Sequence, residues 1–349
     1  MTLPNKERVL VTGASGYVGS NAAFLFAKQG HDVFATSRDK KNLESIFKGS
    51  PVSVKSLDLH SAEDTQHLIE SLRPAIVIHA AGMVGIDGYK KMDVFLKGNA
   101  LTTKNVVDAC TAAKTNIHFV HISTIGVYSE RENNKGKVVN EITSRVKNTN
   151  IPYIDSKVIS EEIVENAVIN SDGRIKSTIL RPGMIYGNVP DSYFSSAKKF
   201  VPRILGLAKS PLGIPIIGGG NSPANVTHIE NLLFSLKTIV EEQTSTHDIY
   251  DVVDNELYSI SMGEYLSALL KKYSAANGGI DSMSIPAARY TADMSEQLQD
   301  ASSNNPLPFS RLLTILLGDS PYVEGGKIAS IMKNNKDKIT SLEQGLSTI

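Results

Sequence analysis

The chain has one cysteine and no tryptophan in 349 residues. A single thiol excludes an intramolecular disulfide and fits a reducing compartment. Cys110 lies in an apolar helical stretch at 105–110, so packing is its expected role. A charge excess is missing as well: 36 Lys plus Arg balance 36 Asp plus Glu, and no long basic run occurs. Without a positive field the chain is not built for nucleic acid or an anionic membrane surface. There is no apolar run long enough to span a bilayer and no signal-peptide pattern before the first apolar segment. A cytoplasmic location is therefore expected. No His, Cys, Asp or Glu cluster has metal-ligand spacing, so no metal is expected either. Repeats and low-complexity segments are absent too. What remains is enough chain for a large core, as one α/β domain or a main domain with a smaller lobe.

Against these absences one stretch stands out, Val9-Leu10-Val11-Thr12-Gly13-Ala14-Ser15-Gly16-Tyr17-Val18-Gly19. An apolar β-like run meets three glycines at GxxGxxG spacing, and a helical pattern follows up to Gly30. Strand, glycine turn and helix are the parts of a dinucleotide site. Gly13 permits the tight turn, Gly16 lets the backbone approach a pyrophosphate, and Gly19 lets the helix pack close to the sheet. The helix N-terminus then presents free N–H groups to phosphate.

Further βα units follow in order. The run at 31–38 ends in Ser37-Arg38. A carboxylate there would grip the ribose hydroxyls of NAD, whereas a hydroxyl and a guanidinium suit the 2′-phosphate of NADP. The plain alternative is that Arg38 is a solvated loop residue. A third strand at 52–57 ends at Asp58-Leu59, where Asp58 either touches an adenine amino group or caps the next helix. The fourth, at 75–78, is apolar throughout and ends in His79-Ala80-Ala81-Gly82, whose small residues leave room for a cofactor. His79 itself reads as a packed, hydrogen-bonded histidine. A helix at 89–114 containing Asn99 leads to a fifth strand at 118–122, which stops at Ser123-Thr124. Residues 128–150 are polar and read as a surface loop. Pro152 then opens a helix, with Tyr153 and Lys157 four apart on one face.

Taken in this order, the residues resemble an extended short-chain dehydrogenase/reductase. The pattern is closest to the group that holds 3β-hydroxysteroid dehydrogenases, dihydroflavonol reductases and NAD-dependent epimerases and dehydratases. Gly13 to Gly19, Asp58-Leu59, His79 to Gly82, Asn99, Ser123-Thr124 with Val127-Tyr128, and Tyr153/Lys157 carry the resemblance. Arg181-Pro182-Gly183, Tyr186-Gly187 and His228-Ile229-Glu230-Asn231 continue it, and it is poor only across 280–320.

The resemblance implies a Rossmann-type doubly wound parallel sheet in residues 1–183, with 226–254 returning to it. Residues 184–225 and 255–349 would form a smaller substrate lobe. It implies cofactor contacts from Gly13, Ser15, Gly16, Tyr17 and Val18. Further contacts would come from Ser37, Arg38, Asp58, Leu59, Ala80, Ala81, Gly82 and Asn99, and from Tyr153, Lys157, Pro182 and Gly183. Asn99 has this role, or a helix-positioning one, by resemblance alone. Thr124, Tyr153 and Lys157 would be catalytic, with Ser123 the alternative hydroxyl to Thr124. A free phenol has a pKa near ~10, and a lysine one turn away favours the phenolate.

The expected activity is NADP-dependent hydride transfer to or from a ketone or secondary alcohol of a small, mainly apolar substrate. The alternative is a nucleotide-sugar epimerase or dehydratase holding NAD tightly, and a third class is a cofactor-sensing binding protein without turnover. Family members that act on nucleotide sugars carry an arginine shortly before the His228-like motif. Ala224 stands there in this chain and cannot hold a diphosphate. A homodimer built from the helices at 89–114 and 152–170 is also implied, with Ala112, Ala113, Val164 and Ile169 as possible apolar surface.

Overall fold

Strands with apolar side chains on both faces are buried only where both faces are covered. The computed structural model achieves this with β1 (Arg8–Thr12), β2 (Asp32–Ser37), β3 (Ser53–Ser56), β4 (Ile76–His79), β5 (Ile117–Ile122) and β6 (Ile175–Pro182). After them come β7 (Met184–Tyr186), β8 (Ile216–Ile217), β9 (Val226–His228), β10 (His247–Val252) and β11 (Ser282–Met283). The structure describes residues 6–348 apart from 85–90, 135, 191–192, 194–201, 203, 207–213, 215, 243–244, 258, 273–281 and 299–309. Expectations for those positions, such as the start of the 89–114 helix, lie outside the described residues. Seven strands form one parallel sheet in the order β10-β6-β5-β4-β1-β2-β3. Chain order reverses between β1 and β4, which opens a crevice at the strands' C-terminal ends.

The period of two along each strand divides the core. Val9, Val11, Ile78, Val120 and Leu180 face α1 (Tyr17–Lys28). Leu10, Val77, Phe119 and Ile179 face the other layer. The short α2 (Lys40–Ile46) follows β2. The second layer is α3 (Ala62–Leu72), then α4 (Met92–Phe95) and α5 (Thr102–Ala112), joined by a π-helical turn at Leu96–Leu101, then α6 (Pro152–Ile169). Cys110 is fully buried there, and desolvation pushes its thiol pKa up, which suits a packing residue. On the first face, α1 is joined by α7 (Ile229–Glu242), through Ile229, Leu232 and Leu236.

The smaller lobe has its own core around α8 (Met262–Lys272) and α9 (Ile285–Leu298), including Ile217, Val226, Tyr265, Leu269 and Ala288. Within the weakly matched stretch, α10 (Arg311–Thr314) continues into a π-helical turn at Ile315–Asp319. Leu313 and Leu317 enter the lobe core, while Leu312 and Ile315 pack with Ile154 and Val158 of α6. Next come α11 (Gly326–Asn334) and α12 (Leu342–Thr348).

Three expectations are corrected. Residues 255–349 do not all belong to the smaller lobe, because Ile328 and Met332 of α11 pack into the core of the main sheet. Residues 128–150 are not merely surface: Tyr128, Glu130 and Val139 are buried, and Val139 bridges to Val323. The polar side chains are buried because they are paired, Glu130 with Arg311 and Tyr128 with Arg181. Finally, Ala113 and Val164 face the sheet and offer no free surface, although Ala112 and Ile169 are exposed.

A buried ion network sits behind the C-terminal ends of β5 and β6. Arg181 is 1% exposed and Glu161 is fully buried. Glu161 accepts from Arg181 Nε at 3.0 Å and Nη2 at 2.6 Å, from Arg145 Nη1 at 3.0 Å and from Ser123 Oγ at 2.5 Å. Arg181 Nη1 donates to Tyr128 Oη at 2.8 Å. Burial alone would raise the Glu161 pKa, but the Arg181 guanidinium, with Ser123 and Arg145, holds the carboxyl below its usual value. Removing one partner strands the other charge. Glu161→Gln should lower unfolding free energy by about 3 kcal/mol or more in urea denaturation. A loss below about 1 kcal/mol, the scale of an exposed pair, would contradict this reading of the network.

Candidate active site

The crevice begins at the glycine turn. Gly13 has φ +67°, and a Cβ there would lie 2.6 Å from the Ala81 Cα. The turn therefore needs glycine for its backbone and for the close approach of the residues after β4. A Cβ on Gly19 would lie 2.4 Å from the Gly13 carbonyl oxygen, so α1 can rest on the turn only without one. Gly16 is the N-cap of α1 and supplies no side-chain cap, which leaves the first-turn N–H groups available to an anion. Ser15 is half-buried in the same turn, with Tyr17 and Val18 directly after it on α1. Small residues, open N–H groups and a crevice at the switch point fit a dinucleotide pyrophosphate.

At the end of β2, Ser37 is half-buried and Arg38 exposed. Ser37 pairs in register with Ser56 of β3, just before Asp58 and Leu59. Asp58 is held below the ordinary carboxylate range by the His60 side chain first, with a smaller contribution from Arg38. The cap of α3 is Ser61, whose hydroxyl accepts from Asp64 N at 3.2 Å. Of the two roles open to Asp58, helix capping is thus taken by another residue. Asn105 Nδ2 donates to the Leu59 carbonyl at 2.8 Å and fixes this edge.

The second half of the crevice lies at the end of β5. The Thr124 hydroxyl accepts from Gly126 N at 3.0 Å and shares a hydrogen bond with the Tyr153 phenol. Ser123, its neighbour, points the other way and is committed to Glu161. The Tyr153 ring meets Phe95 edge-on at 6.1 Å and packs in one cluster with Leu316. Burial pushes the phenol up to about 12, with the Thr124 hydrogen bond pulling against it. One turn on, Lys157 Nζ donates to the Ile122 carbonyl at 2.6 Å and lies 3.5 Å from His121 Nε2. Burial pulls this amine down to about 8, and the Glu161 charge opposes the shift.

Asn99 lies in the π-helical turn. Its Oδ1 accepts from Met83 N at 2.6 Å, and its Nδ2 donates to Ser156 Oγ at 2.9 Å. It ties the segment after β4 to α6, and a Cβ on Gly82 would come within 3.1 Å of it. Of the two roles open to Asn99, these bonds serve positioning. Ala80 N donates to the Thr12 carbonyl at 3.3 Å, which holds the small residues beside the glycine turn. Pro182 ends β6, and Gly183 follows with no room for a side chain, since a Cβ would lie 2.1 Å from the Asn225 carbonyl oxygen.

Four partners were not legible in the sequence. Glu161 stands four residues after Lys157, a spacing that could have flagged it. His121 shares the α6 face of β5 with Phe119, as strand alternation requires. Phe95 and Leu316 carry no motif at all. His79 is packed as read: its ring nitrogens lie 2.8 Å from Thr12 Oγ1 and 3.1 Å from Thr103 Oγ1, and burial takes its pKa to about 3. Among the described residues no group of three or more His, Cys, Asp or Glu could hold a metal ion, and no helix is long and apolar enough to cross a membrane.

Comparison with known proteins agrees with this geometry. A dTDP-D-glucose 4,6-dehydratase of Dictyostelium discoideum is 23% identical over 250 residues, 68% of this chain and 56% of that protein. The chain thus spans little over half of that relative's length. A decarboxylating sterol-4-alpha-carboxylate 3-dehydrogenase of the same organism is 25% identical over 279 residues, 76% of each chain. In fold, the chain is similar to UDP-glucuronic acid 4-epimerase from Bacillus cereus, solved with UDP-glucuronic acid and NAD. The TM-score is 0.69 at 19% identity, with 98% of this chain and 97% of that one covered. The family model of NAD-dependent epimerases and dehydratases matches residues 9–252. That span runs from the glycine turn through Thr124, Tyr153 and Lys157 to the last strand of the sheet, so the chain belongs to the NAD-dependent epimerase/dehydratase family, within the extended short-chain dehydrogenases/reductases.

Proposed function

We propose that this enzyme transfers a hydride between NADP and a ketone or secondary alcohol of a small, mainly apolar substrate. The observation that carries the reading is the grouping of Thr124, Tyr153 and Lys157 in apolar surroundings. The Tyr153 ring meets Phe95 edge-on and shares an apolar cluster with Leu316, Ile154 and Val158, none of which offers a substrate a charge or hydrogen bond. Among the described residues, neither the Ala224 position nor Arg289 and Arg311 offers a diphosphate an unpaired cation. Ala224 is buried in the lobe's apolar core. Arg289 is paired with Asp319 and Glu132, and Arg311 with Glu130 and Asp293.

A bound nicotinamide supplies the hydride. Tyr153 gives the proton in reduction and takes it in oxidation. With its phenol at about 12, Tyr153 is protonated at neutral pH and ready as an acid. Thr124 donates to the substrate oxygen and holds it beside the phenol. Lys157 stabilises the phenolate that forms and holds the nicotinamide ribose. Ser37 and Arg38 receive the 2′-phosphate at the end of β2.

The second reading, a nucleotide-sugar epimerase or dehydratase with tightly held NAD, is favoured by the names of the dTDP-glucose dehydratase and the UDP-glucuronic acid epimerase. Purification would separate the two: that enzyme carries NAD through gel filtration, whereas the favoured one exchanges its cofactor freely. Assembly as a homodimer through α5 and α6 is part of the proposal. Leu101, in the turn that leads into α5, and Ile159 of α6, 39% and 36% exposed, supply apolar surface in place of Ala113 and Val164. Light scattering at micromolar concentration should give twice the chain mass, and a monomer would remove the dimer from the proposal.

Activity is tested by NADPH oxidation against a panel of ketones, steroids and β-keto acids. On the best substrate Tyr153→Phe should lower turnover roughly a hundredfold or more, with cofactor affinity nearly unchanged. Lys157→Ala should damage both, and Thr124→Ala should cost less than Tyr153→Phe. A folded Tyr153→Phe protein that keeps most of its turnover would place the proton donor elsewhere. NADPH should bind at least about tenfold more tightly than NADH, about 1.4 kcal/mol. Arg38→Ala should weaken NADPH alone; equal affinities in the unsubstituted protein would defeat the NADP assignment.

A further inference from the structure

We propose that His121 is a positioning residue for Lys157: its neutral imidazole presents the Nε2 lone pair to the lysine and keeps the amine charged and fixed beneath the site. The inference rests on the reading of Lys157 as the lysine of the Tyr153 pair.

Its basis is the arrangement under the sheet's C-terminal edge. His121 is fully buried on β5, with Nε2 3.5 Å from Lys157 Nζ. Its ring stacks on His79 of β4, with centroids 5.6 Å apart and planes at 21°. Its other nitrogen, Nδ1, has no hydrogen-bond partner. A neutral imidazole has one N–H and one lone pair. Facing an ammonium, Nε2 must carry the lone pair, so the proton sits on Nδ1, the atom without a partner. An unpartnered buried donor costs stability. A phenyl ring would fill the space without that cost, so what histidine adds at this position is the acceptor at Nε2.

The charged and titratable groups that face the amine are His121 of β5, beside the Ile122 carbonyl, His79 of β4 and Glu161 of α6. Glu161 is engaged by Arg181 and Arg145 and gives Lys157 no direct ion pair. Burial holds both imidazoles well below their usual pKa, so neither adds a second cation beside the lysine. Without the lone pair, the ammonium keeps one protein acceptor in a desolvated place. Desolvation favours its neutral form, so it should lose its proton at lower pH.

The test uses the full chain with [13Cε]-labelled lysine, alone and with NADPH. The Lys157 resonance is assigned by its loss in Lys157→Met and followed through a pH titration. His121→Gln places an amide near the Nε2 position, whereas His121→Asn reaches only as far as Nδ1. The expected result is a midpoint near that of the parent for His121→Gln. For His121→Asn and His121→Phe it should fall by about half a unit or more, roughly threefold in proton affinity. The alkaline limit of turnover should move in the same direction. An unchanged midpoint in His121→Asn, or equal shifts in the Gln and Asn variants, overturns the proposal. If His121→Phe does not fold, the two amides still decide. Should Tyr153→Phe keep its turnover while the lysine shifts as expected, it is the catalytic reading that fails and not this one.

Discussion

The buried pairing of Arg181 with Glu161 is the constraint on which the half of the structure that carries Tyr153 and Lys157 rests. Arg181 belongs to β6 and Glu161 to α6, so the pair locks the helix that carries Tyr153 and Lys157 onto the sheet. Ser123 donates to the same carboxylate and fixes the end of β5, leaving Thr124 turned toward Tyr153. Two strand ends and one helix are thus held by a single carboxylate. Exposed ion pairs stabilise little, and this one matters because neither charge can return to water without opening the core. The network therefore acts as registry, setting which residue of each element faces the crevice.

Much of the fold could be read from the sequence because the signals are local. The apolar runs at β1, β4 and β5, and Gly13 with Gly19, report constraints that act within a few residues. Gly13 is required by the chain's own turn, and that requirement is visible in the spacing of the triplet. The pair Tyr153 and Lys157 is equally local, one helical turn apart.

What could not be read is what depends on partners distant in sequence. Arg181 and Glu161 are 20 residues apart, and Tyr128 meets Asp251 across 123. A polar segment such as 128–150 reads as solvated unless those partners are known, since burial of Glu130 follows from Arg311 far down the chain. The run Leu312-Leu313-Thr314-Ile315-Leu316-Leu317 shows no one-sided stripe because it is covered on nearly all sides, and a helix buried all round has no amphipathic signature. His121 reads as an ordinary packed histidine because its meaning lies in Lys157, 36 residues away.

The segment 312–317 bears on how this chain can change over evolutionary time. Leu313 and Leu317 are claimed by the lobe core, and Leu312 and Ile315 by α6, so none can change size without disturbing a packed interior. Leu316 is the partly exposed residue among them, and it packs against the same apolar cluster as Tyr153. Variation within this run is thereby channelled into one position, Leu316, where a larger or smaller side chain can be taken up at little cost to folding. The same geometry makes the lobe a poor independent hinge: a segment shared by two cores moves with both or with neither.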